Sequence, residues 1–221
     1  MTNAGTIAYL HGLNSSPGSI KARALGTAIA ALPELEQPEY FVPQLSHRPA
    51  EAMRAVRTWI EARDPTALTL VGSSLGGYYA THLAERYRIK AVLINPAVRP
   101  YENLVPYLGP QRNLYTGDEY ELTREHFAEL EALKVARISH PERYLLLVQT
   151  GDEILDWREA VAFYAGARQS VEGGGDHAFQ DFEAQIPAVL RFALTPGFER
   201  ATYETSAVFL RRPSAGSASH E

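Results

Sequence analysis

Short apolar runs alternate with helix-period segments along this chain, at intervals too long for hairpins. Neighbouring parallel strands can be joined only through a long crossover, so this alternation calls for a parallel sheet. The strand-like runs are Ile7 to Leu10, Tyr40 to Pro43, Leu68 to Val71, Ala91 to Ile94, Tyr144 to Val148 and a weak one near Ser170 to Val171, about six in all. Between them, Ile20, Ala24, Ala28 and Leu32 repeat at helical spacing, as do Met53, Val56 and Ile60, then Leu75, Tyr79 and Leu83, and finally Phe182, Ile186, Val189 and Ala193. Each helix is expected to lay one apolar face on the sheet. Right-handed crossovers then put helices on both sides of an open, doubly wound, mainly parallel α/β sheet. Chemistry in such sheets gathers at the carboxyl ends of the strands.

With 221 residues, 45% of them hydrophobic, the chain is long enough for one full core, and residues 1–194 read as one domain. Its 21 basic and 26 acidic side chains give a net charge of −5, with no Lys/Arg cluster to neutralise a row of phosphates, so nucleic acid is not an expected partner. No apolar run approaches the roughly 18 residues that span a bilayer, and Thr6-Ile7-Ala8-Tyr9-Leu10 follows no secretory signal pattern. The expectation is a soluble, cytoplasmic protein. The absence of cysteine excludes disulfides, thiolate zinc sites and a cysteine nucleophile. Covalent chemistry here must use oxygen or nitrogen.

Two regions interrupt the rhythm. Residues 99–140, between the fourth and fifth strands, are too long for a plain crossover. They carry Pro100, Pro106 and Pro110, four tyrosines, and a predicted helix from Thr123 whose Phe127, Leu130 and Leu133 have something to cover. A cap over a site and an excursion packed on the domain edge are equally open readings. Residues 195–221 form an extension in which small polar residues dominate, and its last ten are expected to be disordered.

The segment Gly72-Ser73-Ser74-Leu75-Gly76 ends an apolar run and begins a helical one, the setting of a nucleophile elbow. In that turn the residues two before and two after the nucleophile approach so closely that side chains would collide. Ser74 has Gly72 and Gly76 at those places, whereas Ser73 would have Val71 and Leu75. The frame therefore selects Ser74. A phosphate loop would need a Gly-Lys-Ser/Thr ending and a dinucleotide fingerprint a Gly-x-Gly-x-x-Gly, and neither occurs here.

A serine hydroxyl needs an imidazole to take its proton and a carboxylate to orient the imidazole, in the chain order Ser, acid, His for this fold. His177 follows Gly173-Gly174-Gly175-Asp176 after the weak last strand and fits the base. His82, His126, His140 and His220 lie in a helix, the insertion or the tail, while His11 and His47 read as near-site residues bonded to loop backbone. For the acid, Thr-Gly-Asp-Glu occurs twice, at Thr116 to Glu119 and Thr150 to Glu153, and only the second follows a strand. Asp152 is thus preferred to Asp118; Asp156 reads as a helix start and Asp176 as a loop cap. Backbone N–H groups of Leu75 and of Leu13, which follows Gly12 after the first strand, are the candidate oxyanion hole.

These segments resemble the α/β-hydrolase superfamily and, within it, the small bacterial esterases of the YqiA/YcfP type. The resemblance rests on Leu10-His11-Gly12-Leu13-Asn14-Ser15-Ser16-Pro17, Val71 to Ala80, Asn95 to Pro100 with Tyr115 to Asp118, Gln149 to Glu153, and Gly173 to Phe179. It spans about residues 5 to 194. It implies a compact hydrolase without the first two strands of larger relatives, a Ser74–Asp152–His177 triad, and an insertion that belongs to the family pattern. The expected activity is cleavage of a small-molecule acyl ester or thioester, with no cofactor or metal. A scaffold kept for binding alone, or an amidase or acyltransferase using the same triad, are the rival readings.

Overall fold

The computed structural model describes residues 5–195, so the predicted disorder of the last ten residues and nearly all of the extension lie outside the described residues. In chain order the elements are β1 (Thr6–Leu10), α1 (Ile20–Ala30), β2 (Glu39–Phe41), α2 (Pro49–Glu61), β3 (Leu68–Ser73), α3 (Leu75–Tyr87), β4 (Lys90–Ile94), α4 (Pro100–Asn103), β5 (Gly109–Arg112), β6 (Glu119–Leu122), α5 (Arg124–Glu131), β7 (Tyr144–Gln149), α6 (Trp157–Phe163), β8 (Arg168–Glu172) and α7 (Phe182–Leu194). Six strands form one sheet in the order β2-β1-β3-β4-β7-β8, every neighbouring pair parallel. This is the expected α/β architecture, with every run read from the sequence paired in it.

Strands β1, β3, β4 and β7 are buried almost throughout, because helices cover both faces and leave no side to water. One layer packs Met53, Val56 and Ile60 of α2 and Tyr78, Tyr79 and Leu83 of α3 against the sheet. The other packs Leu25 and Ile29 of α1 with Phe182, Ile186 and Val189 of α7. The face expected for α1 is corrected: Ile20 is 66% exposed, and Ala22, Leu25 and Ile29 are the buried residues. A strict spacing of four drifts about 40° per step around a helix, whereas the alternation of three and four stays on one side.

The insertion is two structures. Its helix α5 is bound to the domain edge, where the Tyr78 hydroxyl donates to Leu130 O at 2.7 Å and His82 Nδ1 meets Leu133 O at 3.0 Å. Leu130 and Leu133 are buried against α3, and Glu129 accepts from Arg48 and from the Ala50 N–H at the start of α2. The antiparallel hairpin β5–β6, which the periodicity did not reveal, stands instead on the loop after β1. Asn14 holds it through Gln111 Oε1, the Tyr120 hydroxyl and the Leu114 N–H, while Asn113 donates to Ser15 O.

Candidate active site

The chain steps outward from β1 to β2 and then returns past β1 to β3, from where the strands run the other way, so the crevice where strand order reverses lies between the carboxyl ends of β1 and β3. Leu10 pairs there with Gly72. The two loops leaving these strands carry Gly12-Leu13 and Ser74-Leu75.

Ser74 has φ 54° and ψ −121°, a conformation an L-residue holds only at a cost of roughly 1–3 kcal/mol. Surrounding bonds impose it: its N–H donates to Ile94 O at 3.0 Å, and its carbonyl accepts from Gly77 at 2.9 Å and Ala97 at 3.1 Å. The flanking glycines are steric requirements. A Cβ on Gly72 would lie 2.3 Å from Gly76 O, and one on Gly76 would lie 2.0 Å from Leu10 O. Ser73, by contrast, is buried on the α1/α7 side of the sheet, its hydroxyl beside that of Tyr9.

Three of the sequence-selected side chains meet. His177 Nε2 is 2.9 Å from Ser74 Oγ, and His177 Nδ1 is 2.9 Å from Asp152 Oδ2 and 3.0 Å from Oδ1. The Asp152 carboxylate is 1% exposed, and its Oδ1 also accepts from the Ile154 and Leu155 N–H groups, both at 2.9 Å. Two backbone donors and one imidazole thus surround the buried carboxylate. If the acid is ionised, Nδ1 carries the proton and Nε2 faces the Ser74 hydroxyl as an acceptor. Asp118 is elsewhere, exposed in the turn of the hairpin, with its Oδ2 taken by Thr116. Asp156 caps α6 as expected, whereas Asp176 caps nothing with its side chain and binds Gln180 instead.

Leu13 and Leu75 follow the two residues that meet at the crevice, Gly12 and Ser74, and line one small cavity. Gly12 presses so close that a Cβ on it would stand 3.2 Å from Ser74 Cβ, and Leu75 opens α3, whose N-terminal dipole end faces the site. Among the described residues no group accepts a hydrogen bond from the Leu13 or Leu75 N–H. His11 steadies this loop as expected: Leu45 N donates to its Nε2, its Nδ1 meets Gly12 O, and burial lowers its pKa. His47 lies near the site as expected, lining the small cavity with Gly12, Leu13 and Leu75, but its exposed ring stacks on Tyr120 at 4.4 Å in place of the expected loop-backbone bond.

Two residues that sequence reasoning did not single out as functional position the His177 loop. Buried Asn95 accepts from Gln149 N and donates to the carbonyls of Asp176 and His177, tying the end of β4 to β7 and to the loop. Gln149 accepts from Asp176 N and Gln180 N and donates to Gln180 O. Both sit at strand ends in the segments that carried the family resemblance, which was the one available signal. Glu153 adds an acceptor for the His177 N–H at 3.0 Å.

Among solved structures the chain is similar to Est1E from Butyrivibrio proteoclasticus, with 15% identity, 88% of each chain covered and a TM-score of 0.64. It is also similar to the esterase domain from a Rhodothermus marinus protein, with 17% identity, 87% of each chain covered and a TM-score of 0.60. These likenesses establish the α/β-hydrolase fold. A UPF0227 protein of Shewanella baltica (strain OS185) is 24% identical over 194 residues, covering 85% of this chain and 99% of the relative. No described helix is long and apolar enough to cross a membrane. The pattern of the Uncharacterised protein family (UPF0227) matches residues 6–194, and the chain belongs to that family.

Proposed function

We propose that this protein is a serine hydrolase of carboxylic esters or thioesters. The reading is carried by the contact sequence Asp152–His177–Ser74, each link 2.9 Å at its shortest, at the carboxyl edge of a parallel sheet. Ser74 Oγ attacks the acyl carbonyl while His177 Nε2 takes its proton, and Asp152 holds the ring and stabilises the imidazolium. The N–H groups of Leu13 and Leu75 receive the oxyanion, preorganised by the Gly12 contact and by the start of α3. His177 returns the proton to the leaving oxygen or sulfur. It then activates the water that releases the acid from Ser74. No step requires a cofactor.

The test is labelling with a fluorophosphonate, followed by hydrolysis of p-nitrophenyl butyrate. Label is expected on Ser74, and Ser74→Ala is expected to lower turnover about 10³- to 10⁶-fold in a folded protein, with Ser73→Ala far milder. Absence of both labelling and turnover overturns the reading in favour of a scaffold used for binding.

A further inference from the structure

A cavity of about 310 Å³ on the α1/α7 side of the sheet has no part in the steps above. Gly12 and Ser15 from the loop after β1, Ala178 and Phe179 from the loop after β8, and Tyr9 and Ser73 from the sheet are among the residues that line it. It begins beside the nucleophile. Gly12 lines it, a Cβ on Gly12 would stand 3.7 Å from Ser74 Oγ, and Ala178 directly follows His177.

Its chemistry is that of hydroxyl groups. Tyr9, Ser19 and Ser73 gather their hydroxyls on it. Ser19 is 9% exposed, yet its Oγ forms no hydrogen bond of good geometry, although Tyr9 is its neighbour. Serine at a helix N-cap ordinarily accepts from the first turn, and Ser19, the N-cap of α1, does not. A buried hydroxyl left unpaired is destabilising unless a further group satisfies it. Charges of both signs line the cavity, Lys21 opposing a cation and Asp181 and Glu183 an anion. Lys21 Nζ already donates to Ala178 O and feels Asp176. Hydroxyls that both donate and accept match a neutral group that does the same. Tyr115, Phe179 and Phe182 add apolar surface for its carbon skeleton.

Resting on the hydrolase reading, we propose that this cavity receives the alcohol portion of the substrate, and that this alcohol is a polyol such as glycerol or a sugar. The alcohol side is indicated because His177 gives its proton to the leaving oxygen and Ala178, the residue after it, lines the cavity. Ser19 and Tyr9 are then specificity-determining residues.

The reverse half-reaction isolates this site. In it an added alcohol replaces water: its oxygen bonds to the acyl carbon, its proton passes to His177 and on to Ser74 Oγ, and the acyl–Oγ bond breaks. With p-nitrophenyl butyrate as donor, glycerol and propan-1-ol are compared as acceptors by the yield of butyrate ester. Glycerol is expected to capture the acyl group at least about fivefold better per mole, the worth of one net hydrogen bond, and Ser19→Ala and Tyr9→Phe are each expected to bring the ratio toward one. The Tm of Ser19→Ala should stay close to that of the wild type, since its hydroxyl loses only the contact with Tyr9. Equal capture by wild type, or a glycerol preference that survives both substitutions, overturns the polyol site while leaving the hydrolase reading intact. Absence of p-nitrophenol release overturns both.

Discussion

Thr116 to Glu119 and Thr150 to Glu153 have the same four residues and opposite fates. In the first, Gly117 has φ +80° at a hairpin turn, the Thr116 hydroxyl turns inward to Asp118 Oδ2 at 2.7 Å, and the carboxylate stays exposed. In the second, the segment leaves β7 against the His177 loop. Thr150 Oγ1 accepts from Gly174 N, Gly151 N donates to Gly174 O, and the carboxylate is 1% exposed with two backbone donors and an imidazole around it. Identical local chemistry becomes a self-contained turn in one place and a clamp on a second loop in the other. The element that delivers the segment decides between them.

The sharpest break of this comparison is at the two aspartates. Replacing the triad acid by Asn in a serine protease costs about 10⁴-fold in turnover, because the imidazole then takes the wrong tautomer. Asp152→Asn is expected to lose kcat on a short acyl ester by about that factor, and Asp118→Asn no more than about tenfold. A large loss at Asp118 with little at Asp152 would move the acid into the insertion.

The glycines separate for different physical reasons. A Cβ on Gly151 would lie 2.3 Å from Gly175 O, so Gly151→Ala must push the His177 loop away. A displacement near 1 Å at a catalytic group costs about 10²-fold, and that is the expected fall in kcat, with a lower Tm. A Cβ on Gly117 would meet only the Arg112 guanidinium, at 3.8 Å. Gly117→Ala therefore bears only the strain of positive φ, about 1 kcal/mol, and should keep kcat within a few-fold. If Gly151→Ala keeps wild-type kcat, the close approach does not hold the histidine in place.

The sequence made the sheet legible because its period is imposed by burial on both faces: Leu68 to Val71 and Tyr144 to Val148 have nowhere to be but inside. Ser74 was legible because the steric demand of the elbow falls on its neighbours, Gly72 and Gly76, which can be counted. The hairpin was not. Gly-Pro-Gln-Arg and Glu-Tyr-Glu-Leu lack an apolar stripe, since they pair mostly with each other and rest on the polar side chain of Asn14. Nor did the roles of Asn95 and Gln149 show, because a side-chain amide that joins three segments looks, along the chain, like any polar residue after a strand. Long-range hydrogen bonds leave no local period. The face of α1 failed for a smaller reason, the drift of a spacing of four.

The finest difference is at the threonines. Thr150→Val removes the acceptor for Gly174 N, a bond of 2.9 Å joining the Asp152 segment to the glycine run before His177. An intramolecular hydrogen bond of this kind contributes about 0.5–1.5 kcal/mol, and Gly174 is exposed, so its N–H can turn to water instead. The expected stability loss is therefore toward the low end of that range. The loss in kcat should be several-fold, because the same bond restrains the loop on which His177 rides. Thr116→Val removes a bond from Thr116 to Asp118 that lies wholly within an exposed turn. It should shift stability by a few tenths of a kcal/mol and leave kcat unchanged. Urea unfolding of both variants, paired with kcat on one ester, separates the two effects. If Thr150→Val lowers stability and kcat no more than Thr116→Val does, the Thr150–Gly174 bond is not part of the clamp, and the hold on His177 rests on Gln149, Asn95 and Glu153.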